Sequence, residues 1–130
     1  MRPLMDSAFV GIGAMIGANA RYWIGYFAKS TSLPFPWHTL FINVLGSALL
    51  GAFTAAALIK GWGNNHRLFF AVGLCGGFTT FSTFSFEIID LYYRKSWKMA
   101  ALYMVLSFVL GVGACFLGGH VARNWAAKQL

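Results

Sequence analysis

"GGFTTFSTFSFE", Gly76–Glu87, packs two glycines, five hydroxyl side chains, four phenylalanines and one carboxylate into twelve positions. The stretch lies inside a longer apolar run, residues 68–91, of the length that crosses a hydrocarbon core as a helix. Two adjacent glycines in mid-span predict a break in that helix at Gly76-Gly77. Backbone that leaves the helix at membrane depth is tolerated only when buried in protein or facing a cavity. Such a break frees carbonyl oxygens, the hard ligands that suit alkali cations. Beyond it, about 100° of rotation per residue sorts the side chains. Thr79, Thr80, Thr83 and Glu87 fall within an arc of roughly 100°, and Phe78, Phe81 and Phe84 sweep the adjacent arc with Ser85 among them. Ring edges carry partial positive charge. Edges and hydroxyls along one wall could therefore meet an anion without a fixed cation, and release it. Threefold Phe spacing also suits plain helix packing.

The rest of the chain sets the frame. Of its 130 residues 58% are hydrophobic and 10% charged, against about 25% charged in a soluble domain. Mean hydropathy is +0.65. Four apolar stretches, residues 8–27, 37–59, 68–91 and 97–121, are each about 20–25 residues long, enough to span a bilayer. The expectation is an all-α polytopic membrane protein, residues 1–130 forming one four-helix transmembrane domain. The alternation and turn signals of a membrane barrel are missing. Arg21 inside the first stretch, with no convincing cleavage site before the second, marks a retained helix rather than a signal peptide. Cys75 and Cys115 both fall inside spans and read as small packing residues. The net charge of +7 is spread thinly over helix ends with no basic run, which points to lipid phosphates and away from nucleic acid. His38, His66 and His120 are far apart in sequence, and neither a metal-ligand cluster nor a nucleophile–base pair is visible, so no enzymatic role is supported.

Loop charge ordinarily fixes orientation through an excess of Lys and Arg on the cytoplasmic side. Four spans put both termini and the middle loop on one side, with Arg2, Lys60, Arg67, Arg123 and Lys128. The other side carries Arg21, Lys29, Arg94, Lys95 and Lys98. The balance is even. A chain with no tilt can insert both ways, and the two forms would meet as an antiparallel homodimer; a small protein can also simply lack a strong signal. Small residues at fourfold spacing, Gly13 and Gly17, Gly73 and Gly77, Ser47 and Gly51, offer faces for close helix packing.

Polar groups inside the spans are costly and need a reason. Arg21 either snorkels to the interface or stands at the mouth of a water-filled vestibule that draws anions in. Thr39 and Asn43, four apart, share a helix face. The Asn43 amide either glues helices together or donates to an ion, since it can donate and accept at once. Tyr103 and Ser107 repeat the fourfold spacing, and Gly111 continues that face without a polar group.

These residues carry a family likeness. "GGFTTFSTFSFE" closely resembles the third-helix signature of the CrcB-type (Fluc) fluoride channels; "TLFINVLG", Thr39–Gly46, resembles their second-helix motif and "GANAR", ending at Arg21, their first. The resemblance spans the whole chain. It implies an antiparallel dual-topology homodimer in the bacterial inner membrane that passes fluoride down its gradient through two pores. It implies that Phe81 and Phe84 turn ring edges to the anion, that Asn43 is the pore amide, and that Tyr103 and Ser107 form a polar track. It further implies a structural sodium ion at the dimer centre, held by main-chain oxygens of Gly76 and Thr79. The anion pathway so composed takes in Asn43, Phe81, Phe84, Thr39, Thr80, Thr83, Tyr103, Ser107 and Glu87, with Arg21 at the vestibule. Two positions depart from the family pattern. Gly111 stands where some members carry a serine, and Phe78 where an aliphatic residue is common. Fluoride itself comes from the resemblance; composition and spacing do not select it over another anion.

The main competing reading is a small proton-coupled multidrug or guanidinium exporter, also a dual-topology four-helix dimer. Such a transporter uses a membrane-embedded carboxylate in its first helix. The run Ala8–Phe27 contains none, and the only carboxylates within reach of a span are Glu87 and Asp90. A non-transporting scaffold subunit is a third reading, in which Asn43 and the Phe rings would serve stability alone.

Overall fold

In the computed structural model the described residues are 2–28 and 34–128, and Lys29 of the loop tally lies outside them. Helices account for nearly all of them. α1 is Arg2–Ala28, α2 Trp37–Lys60, α3 Asn64–Arg67, then a π-helical segment Leu68–Cys75, α4 Gly76–Phe78, α5 Phe81–Tyr93 and α6 Trp97–Ala127. No strand occurs among the described residues. The punctuation is local chemistry. Pro36 precedes α2, and Gly61 ends it with a left-handed φ of 62° that few other residues adopt cheaply, its N–H bonding Ala57 O. Gly63 leads into α3. Lys95, at φ 57°, turns the chain from α5 into α6.

Three helical stretches, Trp37–Lys60, Asn64–Tyr93 and Trp97–Ala127, are long and apolar enough to cross a membrane. α1 is as long, at 27 residues, but its mean hydropathy is diluted by polar residues such as Arg2, Asp6, Asn19 and Arg21. The exterior is apolar: Leu58, Phe86, Phe108 and Phe116 are all exposed. Lipid, not water, is the solvent such a surface suits. Aromatic rings gather at one end, where Tyr22, Trp23, Tyr26 and Phe27 pack on one another and Tyr92 stacks on Trp97. At the other end Lys60 sits 4.3 Å from the Trp125 ring. Such belts mark membrane–water interfaces.

Two helix pairs form the body of the chain, each closed by glycine. α1 runs alongside the π-helical segment and α4. A Cβ on Gly17 would stand 2.7 Å from Phe78 N, and one on Gly77 would stand 2.8 Å from Ala14 Cα. α2 runs parallel to α6, where a Cβ on Gly51 would press on the Cys115 carbonyl and one on Gly118 on that of Ala48. Close approach of backbones is the main attraction available between helices in lipid. A cluster of buried side chains, Phe35, Leu40, Leu91, Ala100 and Tyr103, closes the α5–α6 end.

The break in the long middle helix is displaced from its expected place. Gly76 and Gly77 are helical, within α4; Thr79 (ψ 157°) and Thr80 (φ −147°, ψ 114°) are the extended residues. Gly77 packs against Ala14 of α1, and Gly76, with open space beside it, simply continues the helix. The 100° sorting of side chains therefore starts at Phe81, and Thr79 and Thr80 lie outside that arc.

A candidate ion site at the helix break

The break is built by three side chains. Thr79 Oγ1 turns back to donate to Cys75 O at 2.9 Å, closing α4. Thr80 Oγ1 accepts from the backbone N–H of Thr83 at 3.1 Å and lies 2.9 Å from Thr83 Oγ1, which restarts the helix as an N-cap. Asn43, on α2, spans the gap. It accepts from Thr80 N at 2.8 Å and donates through Nδ2 to Thr80 O at 3.1 Å. One amide thus satisfies both main-chain groups of the most extended residue, which lipid could not do. The reciprocal pair also fixes which way the amide faces and leaves the second N–H of Nδ2 for another acceptor.

An unbroken helix would use the Thr80 and Thr83 N–H groups on the carbonyls of Gly76 and Thr79. Here Asn43 and Thr80 Oγ1 take those donors, so both carbonyls lose their helical partner. These are the two positions to which the family likeness attaches a sodium ion.

A recess of about 390 Å³ opens beside the break. Its lining includes Asn43, Ser47, Gly76, Phe81, Phe84 and Ser107. Phe81 is 79% exposed, its ring centroid 5.7 Å from that of Phe84. Phe84 in turn contacts Tyr103 at 5.1 Å. Ser107 Oγ is buried and has no hydrogen-bond partner among the described residues, an unusual state for a polar atom away from water.

A second polar cluster lies nearer the α5–α6 end. Thr39 Oγ1 donates to Glu87 Oε1 and Tyr103 OH to Glu87 Oε2, both at 2.7 Å, and His38 Nε2 stands 3.5 Å from Oε1. Thr39 and Tyr103 are almost fully buried. Both carboxylate oxygens are therefore engaged by hydroxyl donors, short as charge-assisted bonds are. Arg21, with Tyr22, His38, Thr39, Thr80 and Thr83, lines a further recess of about 300 Å³. The residues singled out from sequence thus divide into three neighbouring groups: Asn43, Phe81, Phe84, Ser107, Gly76 and Thr79 at the large recess; Thr39, Glu87 and Tyr103 in the carboxylate cluster; Arg21 and Thr83 at the smaller recess, with Thr80 common to both recesses. Sequence reading missed His38 as a partner of Glu87, although its place one residue before Thr39 was the available signal. It also read Ser47 only as a small packing residue.

Apolar helices of this length around a polar break define a multi-pass helical membrane protein, one that carries an amide, hydroxyls and unshielded rings at depth. A family model described as "CrcB-like protein, Camphor Resistance (CrcB)" matches residues 8–119. A protein of Nitrobacter winogradskyi named fluoride-specific ion channel FluC is 44% identical over 117 residues, covering 88% of this chain and 92% of the relative. One of the same name from Paramagnetospirillum magneticum is 42% identical over 125 residues, 93% and 97% of the two chains. A fluoride-specific ion channel FluC 1 from Listeria innocua is 40% identical over 116 residues, 88% and 95% of the two. The chain belongs to the CrcB family, whose relatives bear the name of an ion channel and not of an enzyme.

Proposed function

We propose that this protein is a fluoride-selective passive channel that lets fluoride out of the cell and so limits its toxicity. One observation carries the reading: the recess beside the break presents a held amide with a spare N–H, a partnerless serine hydroxyl and the Phe81–Phe84 ring pair, in a chain whose relatives are named for fluoride conduction. All three kinds of group offer positive charge without a cation. They can replace water around a small anion and still release it. Thr80, Thr83, Thr39, Tyr103, Glu87 and the Arg21 vestibule extend the path.

The working unit is an antiparallel homodimer of four-span protomers in the bacterial inner membrane. Even loop charge and the exposed Phe81 support it, because a ring that meets an ion has to be kept off lipid. A structural sodium ion at the dimer centre fits the two carbonyls, Gly76 and Thr79, that lose their helical partners. Hard oxygens suit an alkali cation. When bound, that ion would supply a fixed charge tying the two breaks together.

Passive flow suffices for the role. Hydrogen fluoride crosses bilayers neutral, ionises in the less acidic cytoplasm and is trapped there as the anion. A negative-inside potential of about 100 mV then drives each fluoride ion outward by about 2.3 kcal/mol. Proton-coupled export fits less well, since Glu87 has both oxygens engaged and Asp90 is paired with Arg94 at 2.9 Å. Bacteria stripped of their own fluoride exporters should regain growth in fluoride when they express this chain. Growth no better than that of the empty strain would refute the role.

A further inference from the structure

We propose that Ser47 carries the anion line past Gly111, so that the path crosses from α6 to α2 at that level. The inference rests on the channel reading above. Along one face of α6 the polar groups run Tyr103, Ser107 and then stop at Gly111. The Tyr103 hydroxyl is committed to Glu87. Among the described residues Ser107 Oγ is buried without a partner, and one turn further α6 has no hydroxyl to hand an ion on to.

α2 fills the gap. A Cβ built on Gly111 would find a single heavy-atom neighbour within 4 Å, Ser47 Oγ at 3.8 Å. The α2 hydroxyl thus occupies the volume beside the one a serine at 111 would use. Ser47 is one turn beyond Asn43 and on the same face, and Asn43, Ser47 and Ser107 line one recess. Close packing is a different task here, and other residues perform it. Gly51 and Gly118 are the positions where a Cβ would strike backbone of the facing helix, whereas Gly111 has room. A hydroxyl in that room keeps one O–H free to turn toward an anion.

Ser47→Ala, Gly111→Ser and the double variant, each in fluoride-loaded proteoliposomes, test this. Loss of one hydrogen bond to a charged species predicts that Ser47→Ala slows fluoride efflux about tenfold. Gly111→Ser alone should stay near wild type. In the double variant the hydroxyl returns from α6, and efflux should recover to within about threefold of wild type. Should Ser47→Ala aggregate on size exclusion, Ser47→Cys keeps the volume with a weaker donor and the same comparison applies. Efflux unchanged by losing the Ser47 hydroxyl, or a well-folded double variant no faster than the single, overturns the proposal. Wild-type protein that passes no fluoride would instead overturn the channel reading beneath it.

Discussion

Asn43 joins two tasks at the residue scale. Its amide supplies both partners of the Thr80 backbone, and what is left of its donor capacity faces the recess. Asn43→Ala strands a main-chain N–H and a C=O at membrane depth, each at a cost of about 1–3 kcal/mol. The detergent-solubilised variant should melt at a clearly lower temperature and pass no fluoride; full stability would mean that the break does not rest on this amide. Glu87 is the contrasting case. Thr39 and Tyr103 donate to it, so its carboxylate is an acceptor that positions hydroxyls. Glu87→Gln keeps an acceptor and gains a donor. Fluoride efflux should persist in it, with no dependence on an imposed proton gradient. Abolished transport would bring back the proton-coupled reading.

At the scale of elements, the broken helix depends on α1 as much as on itself. Gly13, Gly17, Gly73 and Gly77 bring two backbones into contact along the π-helical segment and α4. Gly17→Val would force a branched side chain against Leu74 and Phe78 backbone, and overpacking of this kind costs about 1–3 kcal/mol. Gly11→Ala, where nothing among the described residues lies within 4 Å, should stabilise α1 by about 0.5–1 kcal/mol. Equal melting temperatures for the two variants would contradict this packing. Here the sequence was legible in part. The spacing of the glycines announced close helix contact, and the adjacent pair Gly76-Gly77 inside an apolar span announced a break. Its position was misread because two adjacent glycines look like a hinge when their neighbour is unseen. With Ala14 of α1 lying against Gly77 the pair fits as helix, and the bend falls where Thr80 can cap α5 and Asn43 can reach. Neither the Thr80 cap nor its partner on α2, 37 residues away in sequence, was read from the sequence.

For the whole molecule, the apolar exterior, the aromatic ends and the balanced loop charge bear on how the chain sits in a bilayer. Dual insertion predicts an even split. With Cys75 and Cys115 replaced by Ala and a single probe at Lys98→Cys, which is exposed at the start of α6, an impermeant thiol reagent should label about half of the protein in sealed vesicles. All or none labelled would mean one orientation. What the sequence could not disclose at this scale is which surfaces would meet in the proposed dimer, since lipid and a second copy would select the same apolar side chains. The most direct test of the central claim is ion efflux from proteoliposomes loaded with fluoride or with chloride, potassium and valinomycin carrying the balancing current. The account predicts rapid fluoride release and no chloride release above that of protein-free vesicles; equal release of both, or of neither, would contradict it.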